Sequence, residues 1–281
     1  MKIQAAIQSA TESFAKAGIE SATADAEILL AHLLNISRGK LQAKAFTDAE
    51  FSETKMYTDL VDKRAQRIPL QHLTGVAHFR RLTLKVGPGV FVPRPETEVV
   101  TQLAVDALRA IGNESPIAVD LATGSGAIAL SLAVEVPNAK VFAVELSEDA
   151  LKYTRVNFAD LAPAAVLVHG DLVDAFPELN GTVDVLVSNP PYIPDEMIPI
   201  YPEVHLHDPS LALYGGVDGL DIVRNVDSAA RRLLRSGGTL IIEHADMQGE
   251  AVRELLLASG WRQVRTHKDL VGRDRATTAL A

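Results

Sequence analysis

Residues 117–146 read IAVDLATGSGAIALSLAVEVPNAKVFAVEL. An apolar run of strand length (117–122) meets a turn holding Gly124 and Gly126. A helical stretch over 126–136 follows, and a second apolar run (141–146) carries Glu145 near its end. Continuous apolar strands alternating with helices belong to a parallel sheet covered on both faces. Glycines let the backbone turn sharply and approach a ligand. The amides that open the helix behind them are a ready site for a polar or anionic group. In such sheets ligands bind beyond the carboxyl ends of the strands, where strand order reverses. Glu145 stands 19 residues after Gly126, and a carboxylate there can accept both hydroxyls of a ribose. The spacing G-x-G-x-x-A over 124–129 suits NAD, FAD or S-adenosylmethionine equally, and a strand-to-helix turn with no ligand also produces it.

Outward from this stretch the alternation continues. AVLVHG (165–170) and VDVLVS (183–188) are further apolar runs; a helical stretch over 218–235 leads to GGTLIIEH (237–244). A helix over 248–259, then WRQVRTH (261–267) and ATTALA (276–281), complete the chain. The expected fold is α/β, a seven-stranded Rossmann-like sheet whose last strand runs antiparallel because a short connection joins it to the sixth. Asp171 and Leu172 follow the third strand, where a polar and an apolar residue can bracket an adenine ring; Asp171 suits a helix cap equally well.

Residues 3–64 show apolar residues at helical spacing and no strand pattern. HFRRLTLKV (78–86) and GVFVPR (89–94), with Gly87-Pro88 between them, read as a short hairpin. RPETE (94–98) opens another helix, Pro95 suiting its first turn and Glu96 and Glu98 its positive end. The expected domains are a helical recognition domain (1–75), a hairpin linker (76–98) and a catalytic domain (99–281).

Nine basic and nine acidic residues lie in 1–75, so the whole net charge of −9 falls in 76–281. That balance argues against a broad phosphate-binding surface, and no direct nucleic-acid contact is expected. Arg231, Arg232 and Arg235 read as a solvated helix end. The histidines lack metal-ligand spacing, so no metal is expected. With no cysteine, no signal-peptide pattern and no apolar run near about 20 residues, a cytoplasmic protein without a membrane span is expected.

VSNPPYIP (187–194) closes the fourth strand on the same sheet edge as the glycine turn. Pro190 and Pro191 stiffen the loop and remove two donors, leaving the Pro190 carbonyl to accept. Asn189 adds an amide oxygen and Tyr192 a flat ring. Two acceptors and an aromatic face make a socket for a planar NH₂ group, although Asn is also an ordinary turn residue after a strand.

NPPY in this place resembles the motif of methyltransferases that act on nitrogen conjugated to a planar system. The order VPRPETE, DLATGSGAIALSLA, VSNPPYIP, DPSLALYGGVDGLDIVR, SGGTLIIEH with Gln248-Gly249, behind a helical domain, resembles the release factor glutamine methyltransferase family over essentially the whole chain. The resemblance implies a class I S-adenosylmethionine-dependent fold. It also implies a protein substrate, the glutamine of the GGQ motif in class 1 peptide chain release factors, and a monomeric enzyme. It makes Ala122, Thr123, Gly124, Ser125 and Gly126 the cofactor turn, puts Glu145 on the ribose and Asp171 and Leu172 by the adenine. Asn189, Pro190, Pro191 and Tyr192 become the acceptor socket, with Asn189 also beside the cofactor. Ala122 stands where the family often has Gly, Leu172 where it often has an aromatic residue, and Asp208 where Glu is usual. Rival readings are an adenine-N6 methyltransferase, which the charge opposes, and an NAD- or nucleotide-binding protein, which leaves NPPY unexplained.

Overall fold

The first 76 residues of the computed structural model, which describes residues 1–281, are almost wholly helical. Helices α1 (Ile3–Lys16), α2 (Ala22–Leu33), α3 (Arg38–Phe46), α4 (Thr54–Ala65) and α5 (Leu70–Thr74) surround a core of Ile3, Phe14, Leu29, Leu30 and Leu41. Asn35 ends α2 in the left-handed conformation (φ 50°), as a short polar side chain can. Helix α3 escapes the apolar pattern because it buries only Leu41; the Ser37 hydroxyl starts it by accepting from the Lys40 amide at 3.2 Å. One later segment, Pro199–His207 with helix α9 (Pro202–His207), belongs to this unit rather than to the sheet unit that the sequence boundaries suggested. Its anchor is Glu203, which takes Arg64 at 2.8 Å and Arg67 at 2.5 Å, while Arg64 also pairs with buried Asp25 at 2.8 Å.

The second unit is Ala77–Ile198 with Asp208–Ala281. It opens with the hairpin β1 (Val76–Phe79) and β2 (Leu82–Lys85). The expected turn at Gly87-Pro88 is corrected: the chain reverses at Arg80-Arg81, with Arg80 at φ 50°. The turn is held from outside itself. The Arg80 amide donates to Glu98 at 3.0 Å, and its guanidinium grips Glu135 at 2.6 and 2.8 Å. Phe79, Leu84, Val90 and Val92 are buried in the core of this unit.

Helix α6 (Thr97–Arg109) precedes the sheet. The sheet elements are β3 (Ile117–Leu121), α7 (Ala127–Glu135), β4 (Lys140–Glu145), α8 (Glu148–Leu161), β5 (Val166–His169) and β6 (Val183–Ser188). After them come α10 (Asp221–Leu233), β7 (Leu234–Glu243), α11 (Gly249–Ala258), β8 (Arg262–Lys268) and β9 (Asp274–Leu280). Strand order is β5-β4-β3-β6-β7-β9-β8, parallel except for β9, which runs antiparallel to both neighbours as expected. The chain steps outward from β3 to β5 and then returns to β6 on the other side of β3. The order therefore reverses between β3 and β6, where an open α/β sheet makes its crevice. Leu121 pairs with Ser188, so Ala122 and Asn189 leave adjacent strand ends side by side. The Ser188 hydroxyl ties the two ends together by donating to the Leu121 carbonyl at 2.7 Å. No helix is long and apolar enough to cross a membrane.

Arg232 and Arg235 are not merely solvated. Arg232 donates to the carbonyls of Val173 and Ala175 at 2.8 Å each, and Arg235 pairs with Asp184 at 2.6 Å. Both guanidiniums are engaged by the fold while remaining partly exposed.

Candidate active site

The turn after β3 takes three residues into the left-handed region: Ala122 (φ 60°), Gly124 (58°) and Gly126 (88°). Only glycine does this without strain. A Cβ on Gly126 would press on Phe158 at 2.9 Å and Leu130 at 3.0 Å, so that glycine lets α7 pack. A Cβ on Gly124 would meet no protein atom within 4 Å; the ground in front of it is open to a ligand. Glu145 ends β4 beside this opening, accepting from the Gly124 amide at 2.7 Å and the Ser147 amide at 2.8 Å. One oxygen serves each amide, which leaves each a further lone pair for a diol. Burial raises the Glu145 carboxyl above its ordinary range, while the two amides pull it back.

Beneath the turn lies Asp120, fully buried in β3. Its Oδ2 accepts from the Thr123 hydroxyl at 2.6 Å and the Ala129 amide at 3.1 Å, and Oδ1 has no partner. Burial pushes this carboxyl up to about 7. From α8, Thr154 donates to the Gly124 carbonyl at 2.5 Å and Asn157 to the Ser125 carbonyl at 2.9 Å. Thr123 and Ser125 are buried and serve the turn itself. Leu172 packs against the core beside the third strand's end, whereas Asp171 is exposed and accepts from the Val173 amide at 2.9 Å within a turn; no helix begins there, so Asp171 is not a helix cap.

Across the crevice mouth, Asn189 is half-buried and Pro190 buried. The Asn189 Nδ2 donates to the Thr97 hydroxyl at 3.3 Å, which turns Oδ1 away from Thr97. Neither Asn189 Oδ1 nor the Pro190 carbonyl accepts a hydrogen bond from the chain. The loop is fixed from behind by residues 213–219. The Ile193 amide donates to the Leu213 carbonyl at 2.8 Å, Gly215 to Ile193 at 2.9 Å, and Asp195 to Gly216 at 3.0 Å. Gly215 passes so close that a Cβ would lie 2.6 Å from the Pro191 carbonyl. Gln248 donates to the Tyr192 carbonyl at 2.9 Å. The Tyr192 hydroxyl lies 3.5 Å from buried Glu243, and burial holds the phenol protonated well above its ordinary range. Asp208 is tied to Arg94 at 2.5 Å, and burial pushes its carboxyl up to about 6 despite that partner.

Known proteins match both parts of this chain. Residues 5–75 match the family described as PrmC N-terminal domain and residues 81–198 the Methyltransferase small domain. A release factor glutamine methyltransferase of Streptomyces coelicolor is 50% identical over 277 residues, covering 98% of this chain and 96% of that protein. The chain belongs to the release factor glutamine methyltransferase family. A solved methyltransferase from Pyrococcus furiosus has the same fold with a TM-score of 0.50 at 22% identity, over 71% of this chain and 88% of that one. Also related, at 40% identity over 91% of this chain and 87% of its own length, is a Streptomyces pristinaespiralis methyltransferase named for 4-amino-L-phenylalanine and its 4-methylamino form. Ala122 sits at φ 60°, where a residue with a Cβ is strained and glycine would not be. Thr97, Asp120, Thr154, Glu243 and the backbone contacts of 213–219 were not singled out from sequence; only an acid closing an apolar strand, as Glu145 does, pointed toward Glu243.

Proposed function

We propose that this chain transfers a methyl group from S-adenosylmethionine to the side-chain amide nitrogen of the glutamine in the GGQ motif of class 1 peptide chain release factors. The observation that carries the proposal is the pairing of Leu121 with Ser188, which sets two uncommitted acceptors, Asn189 Oδ1 and the Pro190 carbonyl, beside the glycine turn. In this reading Ala122 to Gly126 cradle the cofactor, Glu145 holds its ribose, and Asp171 and Leu172 flank its adenine. The open ground before Gly124 and the free lone pairs of Glu145 fit such a ligand. When bound, the cofactor supplies an electrophilic methyl on a sulfonium.

An amide nitrogen is a poor nucleophile because its lone pair is shared with the carbonyl. Asn189 Oδ1 and the Pro190 carbonyl each accept one N–H of the incoming NH₂, and the Tyr192 ring covers its face. Held so, the nitrogen bends out of conjugation and its lone pair points into the crevice. Positioning is the main source of rate, and the two fixed acceptors stabilise positive charge as it grows on nitrogen. The nitrogen proton leaves after transfer, when it has become acidic. Residues 1–75, with balanced charge, help to grip the release factor, and the chain works as a cytoplasmic monomer.

The test is incubation with S-adenosylmethionine and a purified release factor, followed by mass spectrometry of the peptide bearing GGQ. One added methyl on that glutamine is expected. Methylation of DNA adenine or of 4-amino-L-phenylalanine, with the release factor untouched, would refute the proposal.

A further inference from the structure

Helix α8 carries a buried amide that the reaction scheme above leaves unused. Asn157 is 1% exposed, and its side chain bonds only to residues outside its own helix. Its Oδ1 accepts from the Lys85 amide at 2.7 Å. Its Nδ2 donates to the Lys85 carbonyl at 3.0 Å and to the Ser125 carbonyl at 2.9 Å. Both amide protons are used, and the orientation is fixed: a flip would set an oxygen against two carbonyls and an NH₂ against an N–H. Lys85 ends β2, whereas Ser125 lies in the turn between β3 and α7. One side chain therefore clips the end of the hairpin to the glycine turn.

The contact continues along the helix. Residues 149, 153 and 157 are four apart and share one face of α8. After Lys85 the chain runs along that face. A Cβ on Gly87 would collide with the Tyr153 hydroxyl and lie 2.8 Å from the ring Cζ, and one on Gly89 would lie 2.7 Å from the Asp149 Cβ. Gly87, whose pairing with Pro88 makes no hairpin turn, thus gives the segment a close seat on α8. The same segment goes on through buried Val90 and Val92 to Thr97, whose hydroxyl receives the Asn189 Nδ2 at 3.3 Å. From the next position along, Thr154 donates to the Gly124 carbonyl at 2.5 Å. Helix α8 therefore holds both the glycine turn and the segment that ends at the acceptor socket.

We propose that Asn157 is a positioning residue for methyl transfer: it locks the glycine turn to segment 85–97, so that methyl donor and acceptor socket are placed against one helix. This rests on the roles proposed above for residues 122–126 and Asn189. Without the amide, the Ser125 carbonyl and both Lys85 backbone groups lose their partner, and turn and segment are free to shift against each other. A shift of about 1 Å between reacting groups costs about 100-fold in rate.

The experiment compares wild type with Asn157→Leu, Leu151→Ala, Gly87→Ala, Tyr153→Ala and the Gly87→Ala/Tyr153→Ala pair. Asn157→Leu keeps a side chain of similar size and removes all three hydrogen bonds. Leu151 is as buried on the same helix and has no polar contact with the turn, so Leu151→Ala reports what plain destabilisation of α8 does. For each variant the melting temperature, S-adenosylmethionine Kd, and kcat and KM on a release factor are measured, with turnover assayed at a fixed interval below its own melting temperature. Asn157→Leu should lower kcat about 10- to 100-fold at saturating cofactor. It should raise the cofactor Kd about tenfold, because a loosened turn must be ordered on binding, and leave KM for the release factor nearly unchanged. Leu151→Ala should melt lower and keep kcat. Gly87→Ala should lower kcat about tenfold by lifting Lys85 from Asn157. In the Tyr153→Ala background the same change should lose little, because the ring that its methyl strikes is gone. Wild-type kcat and Kd in Asn157→Leu would overturn the inference, as would an equal kcat loss in Leu151→Ala, or losses in the Gly87/Tyr153 pair that simply add. Should Asn157→Leu fail to fold, the Gly87 variants decide: loss in the single change with recovery in the pair supports the inference, and full activity in Gly87→Ala overturns it. An Asn189→Ala control separates the two levels. If it too is fully active, the reading of the site fails; if it is inactive while Asn157→Leu is normal, only this inference falls.

Discussion

Gly219 carries a sharp test of how the acceptor loop is held. It sits at φ 74°, and a Cβ built there would collide with the Tyr192 carbonyl and lie 2.7 Å from Gln248 Nε2. The first of these is backbone and cannot swing aside; the second donates to that same carbonyl at 2.9 Å. Gly181 provides the control, with nearly the same dihedral (φ 68°) and nothing within 4 Å of its missing Cβ. A left-handed Ala costs about 1–2 kcal/mol at either position. Overpacking against the loop adds about 1–3 kcal/mol at Gly219 alone. For a chain of this size about 2–4 °C is lost per kcal/mol, so Gly219→Ala should melt roughly 2–12 °C below Gly181→Ala. A push of about 1 Å on the Tyr192 carbonyl is passed to Asn189 and Pro190, and misplacement of that size costs about 100-fold in rate. The assays are thermal melting and methyl transfer to a release factor, run on both variants. Gly181→Ala should keep wild-type kcat. If Gly219→Ala melts with Gly181→Ala and turns over normally, the 213–219 segment does not brace the loop.

Asn189→Ala should cut methyl transfer by about 100- to 1,000-fold, the usual effect of losing one preorganised polar partner of the transition state, with cofactor binding still measurable by calorimetry. Near-normal turnover would remove Asn189 from the mechanism. Glu145→Gln keeps shape but loses charge, and one charge-assisted hydrogen bond is worth about 1.5–3 kcal/mol, so cofactor affinity should weaken at least about tenfold. An unchanged Kd would show that Glu145 does not hold the ribose. Asp120 has its folded pKa raised from 3.8 to about 7 by burial, so the stability it lends is full below the ordinary carboxylate range and is lost as pH rises to about 7. Asp120→Asn is neutral throughout and keeps an oxygen for Thr123 and Ala129. Its melting temperature relative to wild type should therefore be higher at pH 8 than at pH 5, and an equal difference at both would contradict the burial argument.

What could be read in the sequence was local and periodic. Strands β3 to β7 each hold an apolar run, and the turn between β3 and α7 carries two glycines, both of which take left-handed dihedrals. The hairpin was misread because Gly-Pro is a strong turn signal, whereas Arg80-Arg81 looks like strand; the force that bends it comes from Glu98 and Glu135, distant in sequence. Helix α3 lies inside the stretch read as helical, but its limits were not legible because a helix that buries one residue leaves little pattern. The excursion of 199–207 into the helical unit was hidden for a related reason, since Glu203 looks like any surface acid until Arg64 and Arg67 close on it. The Thr97–Asn189 contact spans 92 positions, and no spacing rule reaches that far. Residues 213–219 were visible as a motif but not as a mechanism. Gly215 and Gly219 are there because another backbone passes within van der Waals reach, a fact that only three dimensions supply.

Two levels of selectivity are separable in this molecule. Two carbonyl-type acceptors and a ring select a kind of nitrogen: planar, bearing two hydrogens, conjugated to its carrier. An amide and an aryl amine both satisfy that, and a relative named for 4-amino-L-phenylalanine is 40% identical to this chain. In the proposed function, the socket sets the chemistry of the acceptor atom and leaves the carrier to be chosen by surfaces farther out. This division explains why the loop at 189–192 is over-determined, with Gln248, Gly215, Gly219 and Thr97 all restraining it. A group of atoms that must place one lone pair in line with one methyl tolerates little freedom, whatever molecule brings the nitrogen to it.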